Sequence, residues 1–334
     1  MTNLQSDRTS QPSKVTVSPA SSLERSSGHQ AKRSGKLNRD RRQSSNSKKQ
    51  VSTKKASQKQ TRHAQAGDRT DKVSLAKVGT EGRKSSVKVD ILGMDFDNFS
   101  MQELLQALQR GILFTPNVDH LMKLRSDPEF AQVYEKADFK ICDSQIVMYA
   151  SKFLGKTLKE KLSGSDLFPL FCEHHKHNET IRIFLLGGRE GIAKQAQARI
   201  NQRVGREIVV GEYAPPFGFE QHPEECDRVI DYIHASEATV VAVCLGAPKQ
   251  EKWIAAYSDR LPNVDIFMAV GAVVDFEAGA KPRAPKYVSE LGLEWLYRLV
   301  CEPRRLWRRY LLEDMPFVWL VLAEKFKQVT ATGR

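Results

Sequence analysis

Short, almost wholly apolar runs recur along the chain from Val87 onward, and polar stretches separate them. Runs such as TIRIFLLGG and ATVVAVCLG are rich in residues that favour strands. Continuous apolar runs of this length are typical of strands that are buried on both faces. The pattern predicts strands over residues 87–93, 112–117, 139–143, 180–188, 207–213, 238–246 and 264–271.

Helix-like stretches lie between these runs, with apolar residues every three or four positions. Ser100 is a suitable cap for the first helix, and Gly111 is expected to end it. The pattern predicts helices over residues 100–111, 128–137, 144–155, 189–205, 223–236 and 249–261. Alternating strands and helices predict an α/β fold of the Rossmann-like type, a mostly parallel sheet with helices on both faces.

The C-terminal part has a different pattern. Over residues 290–311, ELGLEWLYRLVCEPRRLWRRYL, leucines and tryptophans fall on one helical side and arginines on the other. The longest apolar run, residues 315–323, has nine residues, whereas a spanning helix needs about 20. We therefore predict that residues 287–334 form an amphipathic helical appendage.

Charge separates the N-terminal segment from the rest. Residues 1–86 hold 20 Lys and Arg against 6 Asp and Glu, whereas the remainder holds 32 against 34. Because residues 1–86 also contain no Phe, Tyr or Trp, they cannot bury enough apolar surface to offset the entropy of ordering. We predict a disordered basic tail over 1–86 and a catalytic core over 87–286. The tail could be a solvated linker, a lipid-binding segment or a nucleic-acid contact.

Metal and disulfide chemistry have little support in the sequence. The five cysteines are scattered without a CxxC pair, which indicates a reducing compartment and no zinc site. No signal peptide is expected, because no apolar core follows the early charges. The DFD triplet at 95–97 and the HHKH cluster at 174–177 are weak metal candidates, and we predict no metal.

Polar residues follow several predicted strands, where parallel sheets bind their ligands. Each has an alternative without ligand binding. Asp143 could cap a helix, and Thr115 and Asn117 could hydrogen-bond the backbone of a turn. Gly187 and Gly188 could form an ordinary strand-to-helix turn. If they do bind, the glycines would hold phosphate at a helix N-terminus. The candidates are Thr115, Asn117, Asp143, Gly187, Gly188, Pro248, Lys249, Gln250 and Asp275.

Several sequence blocks resemble one protein family. The blocks are TPNVDHLMKL, LSGSDLF, CLGAPKQEKWI, VGAVVDFEAGAKPRAP and GLEWLYRLVCEPRRLWRRYL, in that order over residues 88–312. They are similar to the WecG/TagA/CpsF family of bacterial glycosyltransferases. The resemblance implies inverting, metal-independent transfer of a hexose or N-acetylhexosamine, such as N-acetylmannosamine or glucose, from a UDP-sugar to a polyprenyl-diphosphate-linked sugar. The products are cell-surface polysaccharides such as teichoic acid and exopolysaccharide.

The resemblance also implies roles for individual residues. Asp143 corresponds to the family's catalytic aspartate, although its neighbours here are Cys142 and Ser144. Thr115 and Asn117 are expected near the acceptor, and Gln250 near the donor. Lys161 replaces a family arginine, so charge is kept but bidentate phosphate binding is lost.

The C-terminal arginines suit an acceptor that is anchored in a bilayer. Trp295, Trp307 and Trp319 are expected at headgroup depth. Anionic headgroups and the diphosphate are expected to meet Arg283, Arg304, Arg305 and Arg308. The alternative is an amphipathic helix packed on its own core with solvated arginines. The implied location is the cytoplasm, peripheral on the inner face of the plasma membrane.

Two other functions remain open on the sequence alone. A nucleotide-dependent oxidoreductase of doubly wound fold would need a fuller glycine fingerprint than GGREG. A nucleic-acid-binding protein would use the basic tail, and its affinity would fall steeply with salt. We expect no nucleic-acid partner; the oligomeric state is open, with a homo-oligomer among the options.

Overall fold

The computed structural model describes residues 86–332, which belong to one compact unit. The predicted basic tail over 1–86 lies, apart from Ser86, outside the described residues. Eight strands are described, and six of them form one sheet. The strands are β1 Lys88–Ile91, β2 Met94–Asp97, β3 Gly111–Phe114, β4 Phe139–Lys140, β5 Ile183–Gly187, β6 Val209–Tyr213, β7 Val240–Cys244 and β8 Ile266–Ala269.

Thirteen α-helices accompany the strands in the described range. Short 3₁₀ turns at Phe219–Gln221 and Ser258–Arg260 and a π-helical turn at Arg309–Glu313 complete the regular structure. The helices are α1 Met101–Ala107, α2 Val118–Ser126, α3 Pro128–Glu135, α4 Gln145–Phe153, α5 Gly164–His174, α6 Ile192–Val204, α7 Pro223–Ala235, α8 Lys249–Tyr257, α9 Val273–Glu277, α10 Lys286–Glu290, α11 Glu294–Cys301, α12 Pro303–Arg308 and α13 Pro316–Thr332.

The main sheet is parallel throughout, in the order β4-β3-β8-β7-β5-β6. Successive residues of β5 alternate between two hydrophobic clusters: Ile183 and Leu185 join one, and Phe184 and Leu186 join the other. Because the two clusters lie on opposite faces, the central strands β5, β7 and β8 are buried on both sides. The predicted Rossmann-like α/β fold is confirmed.

Local departures from the sequence prediction have physical causes. The first predicted strand is a hairpin, β1 and β2, because Leu92 and Gly93 adopt the left-handed backbone that a two-residue turn requires. Ser100 caps α1 as predicted, but α1 ends at Ala107 and Gly111 begins β3. The predicted strand at 139–143 has only two residues, and helices α2 and α5 were not predicted.

The C-terminal segment comprises α10 to α13, more helix than residues 290–311 suggested. Leu306, Phe317 and Val321 are buried, and the last two belong to the hydrophobic cluster that also contains Phe114. Among residues 86–332, no helix combines the length and the apolar character that crossing a bilayer requires.

Candidate active site

Two adjacent strands bring Asn117 and Asp143 to the same edge of the sheet. Asn117 follows β3 and is the N-cap of α2, and Asp143 follows β4. The backbone N–H of Asp143 donates to the carbonyl of Pro116 at 3.0 Å, so the two strand ends are tied together. Both side chains therefore reach the carboxyl end of the sheet, where parallel sheets bind ligands.

A cavity of about 240 Å³ opens above this edge. The core contributes one wall, and the C-terminal helices α11 and α13, with the π-helical turn and nearby loop residues, contribute the other. We call the second wall the appendage wall. The core wall comprises Asn117, Val118, Asp119, Asp143, Ser144, Gln145, Ile146 and Lys161, and the appendage wall comprises Gly292, Glu294, Trp295, Arg298, Arg309, Tyr310, Leu311, Asp314, Met315, Phe317 and Val318.

The Asp143 carboxyl is partly buried in this cavity. Burial, with a contribution from the nearby Glu294 carboxylate, raises its pKa from 3.8 to about 7 against the opposing charges of Arg298 and Lys161. Within residues 86–332, no hydrogen bond or ion pair engages its side chain. The cap of α4 is Ser144, whose hydroxyl accepts from the N–H of Val147 at 3.3 Å, so Asp143 is not used as a cap. A free carboxyl with a pKa near neutrality is suited to general base catalysis.

Lys161 and Arg298 are the two cations whose charges lower the pKa of Asp143. Lys161 donates to the Ser289 hydroxyl at 2.9 Å and lies 3.8 Å from the Glu294 carboxylate. Arg298 forms an ion pair with the same Glu294, one helical turn away on α11. Lys161 therefore joins the core to the appendage wall, a contact that the sequence did not predict.

Arg309 is the second appendage arginine in the cavity. Its Nη2 lies 3.3 Å from the buried Asp119 carboxylate and 3.4 Å from the Asn117 side-chain oxygen. Asp314 lies 4.0 Å from its Nε, and burial, opposed by Arg309, raises the pKa of Asp314 to about 6. Arg309 thus fastens the π-helical turn to the start of α2.

The arginines selected from the sequence lie elsewhere. Arg304, Arg305 and Arg308 are exposed on α12 and do not line the cavity, and Arg283 pairs with Asp166 at the start of α5. Arg298 and Arg309 line it instead. A signal for Arg298 was present, because Glu294 and Arg298 have the i,i+4 spacing of a helical ion pair.

The two candidate glycines after β5 are required by close packing. Gly187 and Gly188 have φ of +115° and +85°. A Cβ on Gly187 would lie 2.6 Å from the Cys244 carbonyl oxygen, and one on Gly188 would lie 2.8 Å from Val274 Cγ1. These positions admit only glycine, with or without a phosphate beside them.

Thr115 and Gln250 are buried and bond to the sheet ends themselves. The Thr115 hydroxyl donates to the Ala269 carbonyl at 3.0 Å, which ties β3 to β8. The Gln250 side-chain oxygen accepts from the N–H groups of Gly246 at 3.2 Å and Gly271 at 3.1 Å. Both side chains therefore hold the loops around the site in place.

The remaining candidates lie around α8 and α9. Pro248 is the N-cap of α8. Lys249 pairs with Glu220, and its ammonium lies 4.4 Å from the centre of the Phe217 ring. Asp275 pairs with Lys281 at 3.1 Å.

The Asp97 carboxylate of the DFD triplet is engaged by protein groups. Asp97 accepts from the Ser86 hydroxyl at 2.5 Å and the Lys140 N–H at 2.8 Å, and it pairs with Lys88 at 2.9 Å. In the described part of the chain, no three His, Cys, Asp or Glu side chains are grouped as metal ligands would be.

Comparison with known proteins gives relatives from Staphylococcus aureus. Proteins from Staphylococcus aureus strains NCTC 8325 / PS 47, COL and MRSA252 are each 26% identical to the chain over 263 residues. The match covers 75% of this chain and 97% of each relative. Each is named N-acetylglucosaminyldiphosphoundecaprenol N-acetyl-beta-D-mannosaminyltransferase.

A family model, described as the glycosyl transferase WecG/TagA/CpsF family, matches residues 89–331, which include both walls of the cavity. The chain belongs to the WecG/TagA/CpsF family and is a glycosyltransferase.

Proposed function

We propose that this glycosyltransferase moves a hexose or N-acetylhexosamine from a UDP-sugar to a polyprenyl-diphosphate-linked sugar, with inversion and without a metal. The observation that carries the proposal is the free Asp143 carboxyl, with its pKa near 7, in a cavity that also holds Lys161, Arg298 and Arg309. The names of the Staphylococcus aureus relatives support an acceptor of N-acetylglucosamine on undecaprenyl diphosphate and N-acetylmannosamine as the transferred sugar.

The proposed reaction is a single displacement. Asp143 takes the proton of the acceptor hydroxyl while the hydroxyl oxygen forms a bond to the anomeric carbon. The bond from that carbon to the UDP oxygen breaks, and the electron pair leaves with UDP. Attack from the opposite face inverts the configuration. Lys161, Arg298 and Arg309 are the cations available to balance the charge that develops on the diphosphate.

The donor nucleotide is proposed to lie along the turns after β5 and β7. Gly187 is buried at the end of β5, whereas Gly188 is exposed at the turn that leads into α6 and offers its backbone there. Lys249 is partly exposed at the start of α8 and could meet a phosphate. Under this assignment the donor binds from the side of Gly187 and Gly188, and the acceptor binds from the side of the appendage wall.

The test is a transfer assay with purified protein. UDP-sugars would be supplied in turn, with N-acetylglucosaminyl-diphospho-polyprenol as acceptor, and product and UDP would be measured together. We expect one UDP per transferred sugar, a product of inverted configuration and no loss of rate with EDTA. Failure of every UDP-sugar, together with binding of NAD, would favour the oxidoreductase instead.

We also propose that the appendage lies on the inner face of the plasma membrane. The π-helical turn and α13 expose a run of apolar side chains, and Arg304, Arg305 and Arg308 are exposed on the preceding helix. Apolar side chains beside cations are what an anionic bilayer surface binds. The exposed apolar residues are Leu311, Leu312, Met315, Val318, Trp319, Phe326 and Val329.

Replacing Trp319 by Ser tests this membrane contact. Trp319 is 70% exposed, and burying such a side chain in the interface is worth about 2 kcal/mol. We expect transfer to acceptor in anionic vesicles to fall by about tenfold or more, with no change for a short-chain acceptor in solution. Tyr232→Ser, which alters an exposed aromatic on α7 of the core, serves as control. Equal losses on both acceptors would contradict the proposal.

A further inference from the structure

A buried histidine and a buried glutamate lie beneath the cavity. His120 on α2 is 3% exposed and Glu251 on α8 is fully buried, and His120 Nε2 lies 3.3 Å from Glu251 Oε1. His120 also stacks on Phe130, with ring centres 6.0 Å apart. Since apolar residues often replace a buried pair of this kind without loss of stability, folding alone does not explain its presence.

The other side of the imidazole contacts Asn117. His120 Nδ1 lies 2.9 Å from the Asn117 side-chain oxygen, and the Asn117 backbone N–H points at the same ring nitrogen at 3.2 Å, so Asn117 and His120 form the capping box of α2. The same oxygen accepts from the His120 backbone N–H at 3.4 Å and from Arg309 Nη2 at 3.4 Å. Because the backbone N–H and the guanidinium can only donate, the atom they approach must be the amide oxygen.

This arrangement leaves the NH₂ of Asn117 unused. Among residues 86–332, no hydrogen bond involves Asn117 Nδ2, and Asn117 lines the cavity together with Asp143. A held amide oxygen with a free NH₂ is a directed hydrogen-bond donor. Its natural partner is an oxygen of a sugar or phosphate that occupies the cavity.

Glu251 is also connected to the turns that contain Gly246 and Gly271. The Gln250 side-chain N–H donates to Glu251 Oε1 at 2.8 Å. The Gln250 oxygen accepts from the backbone N–H groups of Gly246 and Gly271, in the turns that follow β7 and β8. Continuous hydrogen bonds therefore run from these turns through α8 to the cavity.

We propose that Glu251 and His120 are positioning residues that aim the Asn117 NH₂ at the acceptor. Through Gln250 they also connect Asn117 to the turns that contain Gly246 and Gly271. We call Glu251, His120 and Asn117 the relay. The assignment rests on the proposed function, because the partner of the Asn117 NH₂ is a substrate atom. Glu251 and His120 touch no substrate and act through Asn117.

A double-mutant cycle tests the relay. In His120→Gln, the terminal amide can still reach Glu251, but the contact with the Asn117 amide is lost. We expect kcat to fall about tenfold in His120→Gln, as for one lost hydrogen bond, with little change in the KM for the UDP-sugar. Asn117→Ala should lose at least as much, and the double variant no more than Asn117→Ala alone. Additive losses in an active, folded enzyme would overturn the relay.

A spectroscopic measurement keeps the relay testable without activity. In ¹⁵N-histidine-labelled protein, the His120 ring signals are identified by their absence in His120→Gln. Asn117→Ala should shift the Nδ1 signal and Glu251→Gln the Nε2 signal, and unchanged signals would overturn the relay. His175→Gln is the control and should leave the His120 signals unchanged, since His175 is a buried histidine at the end of α5, packed against Phe171. A wild-type protein that transfers no sugar would instead count against the proposed function.

Discussion

Replacing Asp143 by Asn is expected to lower the rate of sugar transfer by about 10²–10⁴-fold, the usual contribution of a general base. The amide is nearly the same shape as the carboxyl but cannot accept the proton of the acceptor hydroxyl. The KM for the UDP-sugar should change little, because the proposed donor site does not include Asp143. Steady-state transfer to the lipid acceptor measures both quantities.

The same variant is expected to be more stable than the wild type above pH 7. Because the pKa of Asp143 is raised from 3.8 to about 7 on folding, the folded state binds a proton that the unfolded state has released. The wild type therefore loses stability as pH rises from about 4 to about 7. Asn carries no such cost, so its Tm should exceed that of the wild type by a few degrees at pH 8 and match it near pH 3.

The two results together separate a catalytic role from a structural one. Asp95→Asn, at an exposed carboxylate on β2, is the control and should change neither rate nor Tm. An Asp143→Asn enzyme with normal turnover would contradict the catalytic role. An inactive variant with a lowered Tm would show that Asp143 serves the fold instead.

Ending the chain at Lys286 is expected to abolish transfer to the lipid acceptor. This truncation removes the whole appendage wall, including Glu294, Arg298 and Arg309. It also removes Phe317 and Val321, which belong to a hydrophobic core cluster, so the Tm should fall. UDP binding, measured by calorimetry, should weaken but persist, because Arg298 and Arg309 are lost while Gly187, Gly188 and Lys249 of the proposed donor site remain.

Two further proteins distinguish loss of the wall from loss of the fold. A chain that ends at Lys325 keeps every cavity residue and should transfer sugar to a short-chain acceptor in solution. Arg298→Ala in the full-length chain keeps the fold but removes one cation from the cavity, and it should also reduce transfer. Full activity of the chain that ends at Lys286 would refute a role for the appendage in the reaction.

Most of the sheet could be predicted from the sequence because its strands are apolar on both faces. Strands β5, β7 and β8 have that pattern over four or five residues each, and all their residues are buried. Helix α2 lacked a helical signal, since two of its buried side chains, Asp119 and His120, are polar. Helix α5 was obscured by Pro169 within it. In both helices, tertiary contacts outweigh the local pattern.

The part of the candidate site that lies at the ends of strands could be predicted from the sequence. Asn117 and Asp143 follow adjacent strands, and the resemblance added Lys161, so the sequence named three of the eight residues of the core wall. The appendage wall was harder to predict, because which arginine faces the cavity depends on how α11, α12 and the π-helical turn pack on the core. A helical projection of residues 290–311 does not contain that information, and the π-helical turn at Arg309 changes the period further.

The relay could not be found by pattern either. His120 and Glu251 are 131 positions apart in the chain, and neither has a sequence neighbour that indicates the other. Their contact follows from the packing of α2 and α8 against the same face of the sheet. Long-range polar contacts of this kind become visible only in three dimensions.

The pH dependence of kcat/KM for the acceptor, in the wild type and in Glu294→Gln, tests the central claim most directly. If Asp143 is the base, the rate rises with pH through a midpoint near 7, because only the ionised carboxylate accepts the proton. Removing the Glu294 charge lowers the pKa of Asp143, so the midpoint in Glu294→Gln moves to lower pH. A wild-type rate that is independent of pH between 6 and 8, or a midpoint that Glu294→Gln leaves in place, would contradict the account.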